Sequence, residues 1–198
     1  MMKSVHVVAA LVLSVAAVPS FAQEARVHGT IEQLDHSVLT VKAQTGDVLK
    51  IQLAKDTTVT AMTAATLADI KPGKFVGTAA HPGGPDGALV AIEVHIFADS
   101  MRGTGEGHRP MTQGNTMTNA TVESIVSGVH DRTLTLRYKG GEQKVMVPAN
   151  VPIVMLTPSD RGALKRGDHV SFNATRRADG AITAAHVTVG VNGLVPPL

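Results

Sequence analysis

The residues of this 198-residue chain that are best suited to chemistry are concentrated in one stretch, MRGTGEGHRPMTQGNTMTN, from Met101 to Asn119. Imidazole suits copper and zinc, and thioether sulfur selects cuprous copper. A run of glycine amides beside arginine side chains could instead form an anion-binding nest. The candidate metal ligands are Met101, His108, Met111 and Met117, and the candidate ligand-binding residues are Arg102, Glu106, His108 and Arg109.

The same stretch also has the composition of a connection between folded units. Its glycines do not form a dinucleotide fingerprint, because that motif must open a helix and here Pro110 and Gly114 follow. The chain has no cysteine and no H-x-H or H-E-x-x-H pattern, so the metal-ligand spacing is unspecific. Glycine, threonine, asparagine and proline favour a solvated linker. We therefore predict a Gly/Met-rich linker over residues 99–118 and no cofactor, with a bound metal ion as the alternative.

Outside this stretch, no pattern indicates catalysis. Asp35, His36 and Ser37 are consecutive, and consecutive turn residues cannot act together as orienting group, base and nucleophile. Glu93 and His95 lie two residues apart on a strand with alternating polarity, which predicts that both face solvent. No carboxylate pair is recognisable as a general acid and base. The sequence therefore predicts a protein that is not an enzyme.

The N-terminus reads as an export signal over residues 1–22. Lys3 precedes an apolar run from Val7 to Val18, and the small residues Ser20 and Ala22 predict cleavage after Ala22. This run is too short to cross a bilayer comfortably, and no later stretch is longer, so no membrane span is expected. We predict a soluble periplasmic or secreted protein.

Charge and composition disfavour a nucleic-acid partner. The net charge is +2 for the whole chain and falls to +1 when the signal peptide takes Lys3 with it. No basic run is long enough to track a phosphate backbone. Aromatic residues make up only 3% of the chain, which leaves few side chains for stacking on bases.

An internal repeat divides the chain into two similar stretches. VHGTIEQLDHSVLTVKAQTGD begins at Val27 and matches VESIVSGVHDRTLTLRYKGGE, which begins 95 positions later at Val122. Further matches follow at offsets of 94 and 93, so each change of offset is a single-residue deletion. The repeat predicts two copies of one domain, at residues 25–98 and 119–190, followed by a C-terminal tail at 191–198.

Within each copy the polarity alternates with a period of two, which indicates strands. The first copy contains five such segments and one helical or irregular crossing, TAATLADI, between the third and fourth. Three strands, a crossing and two strands is the order of a five-stranded OB-type barrel. The predicted fold is all-β, with two tandem five-stranded OB-like small barrels joined by the Gly-rich linker. The five segments are RVHGTIEQL, SVLTVKA, VLKIQLA, KFVGTAA and LVAIEVHIF.

The phrases LADIKPGKFVG, EVHIFADSMRGTGEGHRPM and TMTNATV resemble a family of exported bacterial proteins of unknown function built from tandem OB-like domains. The resemblance covers the mature chain and is most specific at MRGTGEGHRP. The family often has an aromatic residue after GHRP, where this chain has Met111. The resemblance implies export and the tandem fold, but it carries no known reaction and no functional residues.

These observations lead to three hypotheses about function. The first is an exported soluble binding or protein-interaction module without catalytic activity, with an unknown envelope protein or a small ligand as its partner. The second is a periplasmic binder of a metal, copper or zinc, or of an anion, which uses the interdomain segment. The third is an enzyme with an unrecognised site.

Overall fold

A computed structural model of the protein describes residues 24–127 and 131–197. Residues 1–23, which include the predicted signal peptide, residues 128–130 and the final Leu198 lie outside the described residues. The described chain is built from strands joined by turns and single 3-10 turns. The strands are β1 (Glu24–Asp35), β2 (Val38–Ala43), β3 (Val48–Ala64), β4 (Phe75–Pro82), β5 (Leu89–Phe97), β6 (Gly107–Pro110), β7 (Thr116–Ser127), β8 (Asp131–Tyr138), β9 (Gly141–Pro148), β10 (Ile153–Ser159), β11 (His169–Arg176) and β12 (Ile182–Gly190).

The all-β prediction is confirmed, and the five strands predicted in the first copy correspond to β1 to β5. The third strand is longer than predicted, because it continues through the β-branched residues Thr57 to Thr60 as far as Ala64. The predicted crossing TAATLADI contains only a 3-10 turn at Leu67–Asp69, where the Asp69 carboxylate accepts from the backbone N–H of Thr66 at 2.8 Å.

Five strands form a closed barrel, called ring one below. Its strand order is β12-β11-β1-β2-β3, and the parallel pairing of β12 with β3 closes it. The side chains that face inward are apolar and almost wholly buried, as alternation along each strand requires. They include Ile31, Leu39, Val41, Ile51 and Phe172.

A second set of five strands forms ring two, in the order β5-β4-β7-β8-β9. A short parallel pairing, of Leu89 and Val90 with Val145 and Met146, joins β5 to β9. Ring two has its own core, in which Val76, Val94, Leu134 and Val147 are among the buried side chains.

Each ring combines strands from both sides of the segment 99–118. Ring one takes β1, β2 and β3 from before it and β11 and β12 from after it, whereas ring two takes β4 and β5 from before it and β7, β8 and β9 from after it. Strand β10 joins the rings, because it pairs antiparallel with β3 and parallel with β5. The sheet is therefore continuous from one ring to the other.

Residues 99–115, called the strap below, form part of this sheet. Within the strap, β6 pairs antiparallel with β7, from Gly107 opposite Asn119 to Pro110 opposite Thr116. The φ angle of Gly107 is +132°, a value that glycine adopts at little cost. The segment that its composition marks as a connection is thus held along the edge of ring two.

The described part of the chain contains no helix with the length and apolar character that crossing a membrane requires.

Candidate binding cleft

Two of the candidate strap residues attach the strap to ring two. The Arg102 guanidinium donates to the carbonyl oxygen of Gly73 at 2.8 Å and to the hydroxyl of Thr121 at 3.4 Å. The Glu106 carboxylate accepts from the backbone N–H of Lys139 at 2.9 Å. Both side chains therefore bind groups of the same chain that lie far away in sequence.

The other two candidates also have partners within the molecule. Arg109 donates to the carbonyl oxygen of Gly105, within the strap, at 2.9 Å. His108 Nδ1 lies 2.8 Å from the Thr118 hydroxyl, and its ring stacks on Tyr138 with centroids 6.3 Å apart. The four predicted ligand-binding residues lie along one strap, and their polar groups bond to different parts of it and of ring two.

The four candidate metal ligands are divided among three places. Met101 lines a cavity of about 640 Å³ with Thr57 and Asp160. His108 lies against Tyr138, as described above. Met111 and Met117 line a different cavity, and they are the two members of the predicted set that the fold brings together.

This second cavity, called the cleft below, lies where ring one, ring two and the strap meet. Its volume is about 480 Å³, and its walls come from β1, β3, β5, β7, β10, β12, the strap and the C-terminal residues. The lining residues are Arg26, His28, Met62, Glu93, His95, Met111, Thr112, Met117, Leu156, Thr188 and Pro197.

Strand register explains why Glu93, His95 and Met117 line the same cleft. Ala79 on β4 pairs with Glu93 on one side and with Met117 on the other, so the three residues form one cross-strand row. Such a row places its side chains on one face of the sheet. Ala79 is the smallest of the three, and it leaves room between the carboxylate and the thioether.

The neighbouring row places His95 above a glycine. Gly77 pairs with His95 and with Asn119, and a Cβ atom at Gly77 would lie 1.8 Å from His95 Nε2 and 2.5 Å from Asn119 Oδ1. The imidazole nitrogen and the amide oxygen therefore converge over the glycine backbone. Only the absence of a side chain at Gly77 makes this arrangement possible.

The partners of His95 and Asn119 determine which atoms face each other at this point. His95 Nδ1 lies 3.4 Å from the Glu93 carboxylate, and an ionised carboxylate only accepts, so it selects the tautomer with the hydrogen on Nδ1. Asn119 donates its Nδ2 to the carbonyl oxygen of Thr104 at 3.0 Å, which directs Oδ1 toward His95. Oδ1 is buried and has no hydrogen-bond partner among the described residues. His95 Nε2 and Asn119 Oδ1 therefore lie close together over Gly77.

The expectation that Glu93 and His95 face solvent is wrong. Glu93 is 4% exposed and the His95 side chain is 13% exposed. Strand alternation correctly separated them from the core of ring two, but the outer face of β5 lies against ring one and the strap. The Glu-x-His spacing was the one local pattern that could have indicated a site on β5. His28 and Met62 are far from it in sequence, and no local pattern indicated that they line the same cleft.

Aromatic rings hold His95 from the side. The edge of His95 meets Phe97 with centroids 5.0 Å apart, and Phe97 contacts Phe75 with centroids 5.2 Å apart. Phe75 and Phe97 are both nearly buried. The imidazole is therefore fixed in orientation before any ligand arrives.

The opposite wall of the cleft contributes a second imidazole. Burial and then the neighbouring Arg26 lower the pKa of His28 below its ordinary value, while Glu93 opposes that change. His28 therefore remains neutral at neutral pH and can offer a ring nitrogen as an acceptor or ligand. Glu93 of β5 and His28 of β1 line the same cavity.

Among the described residues, no group of three or more histidine, cysteine, aspartate and glutamate side chains is placed to hold a metal ion. Comparison of the chain with protein-family models, with curated proteins and with solved structures gives no match.

Proposed function

We propose that this chain is an exported binding protein without catalytic activity, with two OB-like rings that share the strands of both repeats and a ligand site in the cleft between them. The observation that carries this proposal is the composition of the cleft wall. Residues from both rings, the strap and the C-terminal segment meet around a volume of about 480 Å³, which is the size of a small-ligand site. The cleft belongs to the assembled molecule and to neither ring alone.

The polar groups of the cleft favour binding of a small ligand. Glu93 and His95 line the cleft and are buried or nearly so, and burial of polar groups without full hydrogen bonding costs free energy. A ligand in the cleft that bonds to His95 would offset part of this cost. The four polar strap candidates are engaged with their own chain, so the strap contributes to binding through Met111 and Thr112.

The proposal is tested with the full chain, recovered from the envelope of its bacterial host without denaturation. Native mass spectrometry should detect a bound small molecule or ion on the wild-type protein. Thr112→Trp should reduce its occupancy, because Thr112 is an exposed strap residue on the cleft wall and a large side chain there narrows the opening.

Val126→Trp is the matched control, since Val126 is 67% exposed and lines none of the cavities described above. It should leave the occupancy unchanged. Equal loss of the bound species in both variants, or wild-type protein that carries no bound species, would contradict a site in the cleft.

A further inference from the structure

We propose that the cleft binds a cuprous ion through the thioethers of Met111 and Met117 and the Nε2 atom of His95, with Met62 and His28 on the facing wall. This inference rests on the proposed function, because it names the ligand of the same cleft. Thioether sulfur and neutral imidazole are the donors that select Cu(I). The fold gathers three thioethers and two imidazoles around one volume.

The donors come from separate parts of the chain. Met117 lies on β7, His95 on β5 and Met62 on β3, whereas Met111 extends from the strap. Met111 is 37% exposed, so one thioether is within reach of solvent and of an incoming ion. Met62 is 4% exposed and forms the closed side. The cleft therefore has one accessible donor, Met111, and one buried donor, Met62.

The pair of Glu93 and His95 has the arrangement found behind metal-binding histidines. Such histidines donate their second ring N–H to a carboxylate, which fixes the tautomer and directs the free nitrogen at the metal. His95 Nδ1 faces the Glu93 carboxylate at 3.4 Å, so Nε2 carries the lone pair. Glu93 is a positioning residue, and it acts on the metal through His95.

Asn119 provides an independent observation at the same point. Its buried Oδ1 has no hydrogen-bond partner among the described residues, and it converges with His95 Nε2 over Gly77. A proton or a metal ion on Nε2 would be complementary to this amide oxygen. The convergence therefore accommodates a positive charge on Nε2.

The test is an anaerobic competition in which the full-length mature protein withdraws Cu(I) from its bicinchoninate complex. We expect one Cu(I) per chain. Met111→Leu combined with Met117→Leu keeps the side-chain volumes and should weaken Cu(I) binding by more than the ~10–100-fold that loss of an outer partner costs. Glu93→Leu should weaken it by about 10–100-fold, and Glu93→Gln should restore most of the affinity, because its amide oxygen still accepts from Nδ1.

Met101→Leu and His108→Ala are the controls, because Met101 lines the other cavity and His108 lies on Tyr138. Both should bind Cu(I) as the wild type does. Loss of binding in either control would place the ion at Met101 or His108 and overturn the proposed site. Tighter binding of Zn(II) or Cu(II) than of Cu(I) would overturn the proposed metal.

X-ray absorption of the copper-loaded wild type gives a readout that does not depend on variant folding. Two or more sulfur scatterers are expected, and a shell of nitrogen and oxygen alone would contradict the inference. Failure to take up Cu(I) would also overturn it. The binding function would still stand if native mass spectrometry detects another species that Thr112→Trp displaces.

Discussion

At the scale of single residues, Gly77 decides the geometry of the cleft. Its lack of a side chain lets the His95 ring and the Asn119 amide approach each other across strand β4. A Cβ atom there would overlap Nε2 and Cδ2 of His95, at 1.8 and 2.4 Å. This glycine is therefore required by contacts to its neighbours and not by its backbone angles.

Gly77→Ala should destabilise the fold by about 1–3 kcal/mol, the usual cost of an overpacked site. In a His95→Ala background the cost should be clearly smaller, because the ring that the new methyl group strikes has been removed. A double-mutant cycle in urea denaturation measures the difference as a coupling free energy. Equal costs in both backgrounds would show that His95 does not lie over Gly77 in solution.

At the scale of elements, the strap is held on ring two by backbone pairing and by side-chain hydrogen bonds. Its strand β6 pairs with β7, and Arg102 and Glu106 bond to Gly73 and Lys139 of ring two. These polar contacts explain why charged residues cluster in a segment whose composition otherwise indicates a free connection. The strap also carries Met111 and Thr112 on the wall of the cleft, so its attachment to ring two positions both residues at the site.

Loss of the hydrogen bonds that Arg102 and Glu106 make to ring two should increase local opening of the strap. In the double variant Arg102→Ala, Glu106→Ala, we expect amide hydrogen exchange in β6 to rise by about fivefold or more, because each hydrogen bond contributes about 1 kcal/mol.

Arg109→Ala serves as the comparison, since Arg109 bonds only to Gly105 of the strap itself among the contacts described above. Exchange in β6 should change less in that variant. If the double variant and Arg109→Ala raise exchange in β6 equally, the side-chain contacts to ring two do not hold the strap in place.

At the scale of the whole molecule, the two rings are built by strand exchange along the chain. Strand β3 is 17 residues long, and the next strand, β4, belongs to the other ring. In the second repeat, the stretch that corresponds to β3 is divided between two strands, β9 and β10. At about 3.3 Å per residue, β3 extends well beyond the width of one small barrel. The chain therefore leaves ring one before its fourth strand and returns through β10.

A single cut in the strap tests this exchange. With a specific protease site at the exposed turn around Gly103, the two fragments should remain one species under native conditions, because both fragments supply strands to both rings. Size-exclusion chromatography with light scattering should give the intact mass, and denaturant should separate the fragments. Separation without denaturant would indicate that each fragment folds by itself.

Local sequence was sufficient to predict β1 to β5, apart from the C-terminal half of β3. Alternating polarity placed β1 to β5 and separated their inward from their outward faces, because the side-chain period of a strand is a property of the local backbone. His36, which the sequence predicts to be a turn residue, adopts a φ angle of +50°. These features depend on a few neighbouring residues.

Strand partners and the cleft were decided by tertiary structure. The repeat makes β5 and β12 similar in sequence, so the pattern cannot say which of them closes the barrel of β1, β2 and β3. Register and alternation specify faces and leave the choice between equivalent partners open. The sequence by itself therefore determined an all-β chain and a chemically rich strap, while the strand pairing brought Met111 and Met117 to His28, Met62, Glu93 and His95.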